Sequence, residues 1–180
     1  MSNYTVTVEG VVPLLMHRFI GQDASKRAVE LPDKECADAF TYRMNGEGSN
    51  LAAPGVWFGG ALIASFIANA GSKAKTKVSD EVTPSITVSE ELIDLGVKKF
   101  DISKKTIPIK KNGKIAAMQF VVRPSIPKWK CTFTLQSTLD RPDEDIHAEL
   151  KRAGKYQGVG SGRKIGYGRF EVTNFKRIKD

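Results

Sequence analysis

Apolar and polar residues alternate with a period of two in three segments of the sequence. Residues 4–8, 129–136 and 168–176 show this pattern, which is typical of strands with one buried and one solvent-facing side. Residues 86–93 and 106–111 are further, short strand candidates. These segments together predict a sheet of which one face is covered by other elements.

Three further segments have the longer period of a helix. Residues 56–71 are mostly apolar and end at a glycine, which predicts a buried helix. Residues 33–45 carry apolar side chains at every fourth position, and residues 140–153 combine acids in the first turn with an apolar stripe. We expect Gly154 to end that last helix. The polar segments 20–32 and 71–85 predict loops.

A lysine-rich hairpin is predicted between the central strands. The letters KNGK at 111–114 contain the Asn-Gly pair that suits a type I′ turn, so residues 107–120 are expected to fold back on themselves. We interpret this hairpin as a basic arm inserted at about 100–128. The order of the remaining elements predicts an α+β fold, a ferredoxin-like (RRM-like) βαββαβ core whose antiparallel sheet has helices on one face. Residues 1–180 are expected to form one domain.

Composition and charge then bear on function. A chain of 180 residues with 41% hydrophobic and 27% charged residues is an ordinary folded protein and neither disordered nor fibrous. The net charge of +8 is unevenly distributed: residues 103–130 hold eight basic residues and no acid, and residues 151–180 have a net charge of +7. Residues 1–102 and 131–150 are net acidic, at −3 and −4. Such basic blocks predict an anionic partner, most often nucleic acid, although a solvated surface is the alternative.

Other classes of protein are less favoured by the sequence. No apolar run approaches the roughly 20 residues that span a bilayer, and neither basic block has the amphipathic pattern of a membrane-surface helix. The first residues alternate like a strand rather than a signal peptide. Cys36 and Cys131 are far apart in sequence and predict reduced thiols in a cytoplasmic protein, with a single disulfide as the alternative.

The most specific feature is a glycine-rich segment at 158–170, between the last predicted helix and the last strand. Glycine permits a positive φ and the close approach of a phosphate, and the interleaved basic side chains add donors that match phosphate oxygens. The segment contains Gly158, Gly160, Gly162, Arg163, Lys164, Gly166, Tyr167, Gly168 and Arg169. It is neither a P-loop, which needs Gly-Lys-Ser/Thr, nor a dinucleotide fingerprint, which needs a strand before it and a helix after it. A merely flexible connection is the alternative.

These residues resemble the glycine-rich loop of the RAMP superfamily of CRISPR-associated RNA-binding proteins. The family pattern is loosely Gly-x-Gly-x-x-Arg-x-x-Gly-x-Gly before an apolar strand, and it is occupied here by Gly158, Gly160, Arg163, Gly166 and Gly168. The inserted arm is similar to the thumb of the guide-RNA-binding backbone subunits, and the opening strand and loop are similar to compact phage-encoded RAMP-like proteins. The resemblance implies a ferredoxin-like fold that binds single-stranded RNA, assembled side by side with copies of itself or with other subunits of a ribonucleoprotein.

The expected function is therefore the binding of single-stranded RNA or single-stranded DNA through the phosphate backbone, without catalysis, cofactor or metal. The residues expected to contact the strand, besides the five glycines of the loop, are His17, Arg18, Lys104, Lys105, Lys110, Lys111, Lys114, Arg123, Arg163, Lys164, Tyr167 and Arg169. Tyr167 is the preferred candidate for stacking on a base. Trp129 is expected in the core, His147 on the surface or in packing, and Phe120 is left unassigned.

Two other functions remain open at this point. Some members of the superfamily process guide RNA, and their general base is often a histidine near the first strand, a position that His17 occupies here. That alternative is a metal-independent endoribonuclease. The other alternative is a structural or assembly protein whose basic surface binds an acidic partner protein.

Overall fold

The computed structural model describes residues 1–111 and 114–179, without the side chains of 107–111, 115–117 and 119. In chain order the strands are β1 (Ser2–Gly10), β2 (Leu14–Leu15), β3 (Ala52–Pro54), β4 (Ile86–Val88), β5 (Leu92–Asp94), β6 (Asp101–Lys111), β7 (Lys114–Ile126), β8 (Lys130–Ser137) and β9 (Phe170–Arg177). The helices are α1 (Gln22–Ala28), α2 (Asp33–Ala39), α3 (Gly55–Asn69), α4 (Lys75–Val82) and α5 (Asp143–Arg152). A π-helical turn (Ala153–Gln157) and a 3₁₀ turn (Arg163–Ile165) follow α5.

The main sheet has four strands in the spatial order β4-β8-β1-β9, and all neighbours are antiparallel. Helix α3 lies in the chain between β1 and β4, and α5 lies between β8 and β9. Numbered along the chain as four core strands, the spatial order is therefore 2-3-1-4. This is the ferredoxin-like arrangement, and the predicted α+β fold class is confirmed.

One face of this sheet builds the core. Alternate residues of β1, namely Tyr4, Val6 and Val8, are at most 1% exposed, as the period-two pattern predicted. Phe58 of α3 packs on Phe133 of β8 with ring centroids 4.7 Å apart. Helix α5 adds the fully buried Ile146 and Leu150 to the same hydrophobic cluster. Both connecting helices thus cover the face that the sequence pattern marked as buried.

The predicted hairpin is present and extends over the whole arm. Strands β6 and β7 pair antiparallel from Asp101↔Ser125 to Lys111↔Lys114. The pairing Leu14↔Ile126 joins β7 to β2, so the hairpin is continuous with a second sheet of order β2-β7-β6. The expected type I′ turn at 112–113 lies outside the described residues.

Several predicted boundaries were wrong for identifiable reasons. The loops predicted at 20–32 and 71–85 contain α1 and α4, two short polar helices that each fully bury a single residue, Ala28 and Val82. The helix predicted over 33–45 ends at Ala39. Beyond it, the Thr41 hydroxyl donates to the Asp38 carbonyl and the Arg43 guanidinium to the Asp38 carboxylate, both at 2.7 Å.

Two further predictions also need correction. The single strand expected at 86–93 is two strands, because β4 pairs with β8 whereas β5 pairs with β3. Gly154 does not end the last helix but lies inside the π-helical turn. A Cβ on Gly154 would lie 2.2 Å from the carbonyl oxygen of Phe170, so this glycine permits the turn to pack directly against β9.

Candidate nucleic-acid interface

The backbone of the glycine-rich loop is held by hydrogen bonds to the segment that contains β2. The Ser161 amide donates to the Leu15 carbonyl at 2.8 Å, and the Gly168 amide donates to the Pro13 carbonyl at 3.0 Å. Within the loop, the Val159 amide donates to the Gly168 carbonyl at 2.9 Å. The loop is therefore a fixed structure, which argues against the alternative of a merely flexible connection.

Two of its glycines are required by close backbone contacts. Gly168 has φ +68°, and a Cβ there would lie 1.9 Å from the carbonyl oxygen of Val159. Gly160 has φ +74°, and a Cβ there would lie 2.6 Å from the carbonyl oxygen of Leu15. Both positions combine a left-handed backbone with contacts that no side chain permits. The other loop glycines, Gly158, Gly162 and Gly166, also have positive φ.

The basic side chains of the loop project from this fixed backbone. Arg163 and Lys164 are exposed on the 3₁₀ turn, and Arg169 is half-buried. One Arg169 nitrogen, Nη2, donates to the Arg163 carbonyl at 3.2 Å. The other, Nη1, is buried and has no hydrogen-bond partner among the described residues. The Arg169 guanidinium is therefore held by the loop backbone, whereas the exposed Arg163 and Lys164 side chains can contact a ligand.

The arm meets the glycine-rich loop. Lys105 of β6 places its Nζ 4.3 Å from the centroid of the Tyr167 ring, a cation–π contact between the two basic blocks of the sequence. The backbone connects the same regions, because Leu15 of β2 pairs with Ser125 of β7 and forms an isolated bridge with Ser161. The loop and the arm thus meet at the surface and are connected beneath it by the buried β2.

That surface carries positive charge that the protein does not neutralise. Among the described residues, Lys104 forms an ion pair with Asp33 at 3.0 Å. The other basic side chains of the predicted site whose positions are described form no ion pair there: Arg18, Lys105, Lys114, Arg123, Arg163, Lys164 and Arg169. Lys110 and Lys111 lie on β6, and their side chains are outside the described part of the chain. We name the surface formed by Lys105, Arg163, Lys164, Tyr167 and Arg169 the arm–loop surface.

Tyr167 is less accessible than its assignment as the base-stacking residue assumed. One side of its ring is occupied by the Lys105 ammonium group, and a Cβ on Gly162 would lie 3.0 Å from its Cδ2 atom. The ring is therefore half-buried between the arm and its own loop. Trp129 is in the core as expected, and its Nε1 donates to the Val12 carbonyl at 3.0 Å.

His17 and Arg18 lie where the chain leaves β2. The His17 ring stacks on Phe40, with centroids 4.7 Å apart and planes inclined by 14°, and the Arg18 amide donates to the Phe40 carbonyl at 3.0 Å. Burial, and then the nearby Arg123 guanidinium, lower the pKa of His17, so its imidazole is neutral at neutral pH. Burial likewise lowers the pKa of Arg123. The His147 ring stacks on Phe175 of β9 with centroids 4.7 Å apart, in agreement with a packing role.

Two exposed aromatic residues lie beside His17. Phe120 of β7, which the sequence left unassigned, is 68% exposed, and Phe19, which the sequence analysis did not single out, is 82% exposed. Both line an open groove with His17 and Arg123. The signal for Phe19 was available, because it is an aromatic residue next to His17-Arg18 at the start of a polar segment.

The described residues also bear on metal binding, thiol chemistry and membrane insertion. It contains no group of three or more His, Cys, Asp or Glu residues placed to hold a metal ion. Cys36 and Cys131 are buried free thiols, and burial raises the pKa of Cys131 to about 12. No helix within the described ranges has the length and hydrophobicity needed to cross a membrane.

Comparison with known proteins bears on the fold. No protein-family model matches the sequence, and no curated protein is a significant match. The fold is similar to a chain of type III-B Cmr-beta bound to cognate target RNA, with a TM-score of 0.61 at 14% identity, over 99% of this chain and 61% of that chain. This protein therefore spans less than two thirds of the length of that chain. At this identity the likeness shows a shared fold and nothing further.

Two other solved structures are similar at lower scores. Cmr6 from Pyrococcus furiosus has a TM-score of 0.47 at 12% identity, over 96% of this chain and 98% of that chain. Cas6 in a product complex has a TM-score of 0.37 at 15% identity, over 94% of this chain and 53% of that chain. Scores of this size carry no argument about the fold or the site.

Proposed function

We propose that this protein binds single-stranded RNA by its phosphate backbone, at the arm–loop surface. The observation that carries the proposal is the contact of Lys105 with Tyr167, which joins the two basic blocks of the sequence in one place. The strand lies along the glycine-rich loop and the base of the arm. In this proposal residues 1–180 act as one RAMP-like domain, with about 100–128 as its inserted arm.

The charges of the surface support phosphate binding. Arg163 and Lys164 are exposed, Lys105 contacts Tyr167 of the same loop, and none of the three cations forms an ion pair with a described residue. Unneutralised positive charge repels itself, and phosphate relieves that repulsion while counterions are released from the strand. Binding through phosphates is salt-sensitive and only weakly sequence-specific.

The choice of RNA and of partners rests on the structural likeness. The similar Cmr-beta chain comes from a structure bound to cognate target RNA. We extend RNA binding to the present chain as a proposal, in which RNA is preferred over DNA. The same proposal includes assembly into a ribonucleoprotein, side by side with copies of the chain or with other subunits.

Direct binding measurements test the proposal. Fluorescently labelled 20-nucleotide single-stranded RNA, the same sequence as DNA, and duplex RNA are titrated with protein that has been washed in high salt to remove bound nucleic acid. We expect tightest binding to single-stranded RNA at low salt. A ratio of absorbance at 260 nm to that at 280 nm that falls after the wash, with ribonuclease-sensitive material released, agrees with the proposal. Absence of binding to all three probes at low salt contradicts it.

His17 supports a second candidate function. Its imidazole is solvent-accessible on one side, and its lowered pKa keeps it unprotonated at neutral pH, as a general base requires. A guide-processing endoribonuclease of this kind would cleave a structured RNA in the presence of EDTA, and His17→Ala would abolish the cleavage. Intact RNA hairpins after prolonged incubation with excess protein contradict this candidate and leave the binding function as it stands.

A further inference from the structure

A groove lies where the segment after β2 turns away from β7 of the arm. The Met16 amide donates to the Pro124 carbonyl of β7 at 3.0 Å. Two residues later, the Arg18 amide donates instead to the carbonyl of Phe40, which follows the end of α2. The divergence leaves an open cavity of about 700 Å³ along β7. A second cavity of about 420 Å³ lies against the same strand and shares Phe120 with the first.

The floor of the groove is a built structure. Phe40 is 3% exposed and forms a small hydrophobic core with Ala28 and Cys36, separate from the main core. The His17 ring lies flat against Phe40. The packing of α1, α2 and β7 therefore holds this floor in place before any ligand arrives.

Its walls are aromatic and exposed. Phe19 and Phe120 both line the groove and are 82% and 68% exposed. Covering a phenylalanine side chain stabilises a protein by about 1.5–3 kcal/mol, so two exposed rings in one groove indicate a surface that a partner covers. Val29, which is 56% exposed, adds to the same apolar area.

The rim of the groove is basic. The Arg123 guanidinium lies beside His17, and its Nε is buried without a hydrogen-bond partner among the described residues. Lys104 stands at the second cavity, where it pairs with Asp33. An aromatic groove with cations at its edge complements a flat apolar group attached to an anion, which is the chemistry of a nucleotide.

The groove and the arm–loop surface belong to opposite faces of the same hairpin, and Arg123 connects the two faces. Lys104 and Lys105 are consecutive in β6 and therefore point to opposite faces of the hairpin, the first towards Asp33 of α2 and the second towards Tyr167. Phe120, paired with Thr106, shares the face of Lys104. The groove extends around β7 from this face to Arg123, which is on the face of Lys105.

We propose that this groove is a nucleobase site, in which an unpaired base of the bound strand stacks on Phe120 and Phe19 while Arg123 contacts an adjacent phosphate. The inference rests on the proposed function, because the base belongs to the strand held at the arm–loop surface. The site binds a base by its faces, so it accepts any of the four bases.

Two single-stranded oligonucleotides, one with bases and one without, test the site. Affinity is measured for a uridine 12-mer and for an abasic ribose-phosphate 12-mer, with wild-type protein, Phe19→Ala/Phe120→Ala, and Val56→Ala as the control. Val56 is 76% exposed on α3. We expect the double variant to lose about tenfold or more in affinity for the uridine strand, since base stacking on an aromatic residue contributes about 1–3 kcal/mol. Affinity for the abasic strand and the salt slope are expected to stay unchanged, and Phe120→Trp is expected to retain binding.

Two results overturn the inference. The first is a double variant that binds the uridine strand as wild type does; if that variant has also lost self-association or binding to an acidic peptide, the groove docks a protein. The second is an equal loss of affinity for both strands, which indicates a structural effect. If wild-type protein binds neither strand, the proposed function itself fails; if it binds the uridine strand and Phe19→Ala/Phe120→Ala matches it, only the base site fails.

Discussion

Lys105 Nζ lies 4.3 Å from the centroid of the Tyr167 ring, although the two residues are 62 positions apart in the sequence. The contact places the base of the arm against the glycine-rich loop. It also occupies one side of the ring that the sequence suggested for base stacking. The same pair therefore joins the arm to the loop in the arm–loop surface and leaves less of the Tyr167 ring available to a base.

The first prediction concerns this contact itself. Lys105→Met and Tyr167→Leu each remove the cation–π interaction while keeping apolar bulk. A double-mutant cycle on the free energy of unfolding in urea is expected to give a coupling of about 0.5–1 kcal/mol, the usual value at an exposed site. Tyr167→Phe is the matched control and should retain most of the coupling. Strictly additive single variants would show that the contact contributes nothing in solution.

The second prediction separates two glycines of the same loop. Gly168→Ala forces a Cβ to within 1.9 Å of the Val159 carbonyl oxygen at φ +68°, whereas Gly166→Ala meets nothing within 4 Å at φ +95°. Both substitutions place a side chain in the left-handed region, at about 1–2 kcal/mol. Gly168→Ala should be the more destabilising in urea unfolding, because the loop must also move. Equal losses of stability for the two variants would contradict the loop geometry described above.

The third prediction concerns pH. Because burial and the Arg123 guanidinium lower the pKa of His17 in the folded protein, the unfolded chain binds a proton more readily near the ordinary pKa of about 6.5. The stabilisation by neutral His17 is present above that pH and is lost as the pH falls towards the folded-state pKa. His17→Gln should therefore reduce the loss of stability between pH 7 and pH 5. His147 shifts in the same direction, so some loss remains in the variant.

An NMR titration of the His17 ring separates the two causes of its lowered pKa, burial and the Arg123 guanidinium. Arg123→Gln removes the second cause and should raise the pKa of His17, but not to its ordinary value, because burial against Phe40 remains. A pKa in the wild-type protein at or above the ordinary value would contradict the described environment. The His147 signal is the internal control and should not move.

The fold was predictable where one period dominates the sequence. The alternation in β1 and β8 and the apolar run of α3 determine which faces are buried, and these elements lie within two residues of the predicted bounds. Helices α1 and α4 could not be predicted from periodicity, because each is short and polar and buries one residue. Their stability comes from tertiary packing, which leaves no periodic signal.

The site was predictable in its residue types but not in its arrangement. The spacing of glycines and arginines in the sequence marks the loop. In the structure, Gly160 and Gly168 allow one backbone segment to approach another closely. The meeting of Lys105 with Tyr167 depends on how the arm folds back through β2 and β7, which no local pattern encodes. The exposure of Phe19 and Phe120 is likewise a tertiary property, since an aromatic residue in a sequence is more often buried.

The salt dependence of binding to single-stranded RNA tests most directly whether the arm–loop surface holds phosphates. Wild-type protein, Arg163→Ala/Lys164→Ala and the control Lys73→Ala/Lys77→Ala are compared between low and moderate salt. All four side chains are exposed, so the variants should fold equally well. For a single strand the slope of log affinity against log salt is about −0.7 for each neutralised phosphate, so loss of two contacts should reduce its magnitude by about 1.4. We expect that reduction, with lower affinity, in the loop variant and wild-type behaviour in the control; an unchanged slope in the loop variant would contradict phosphate binding by Arg163 and Lys164.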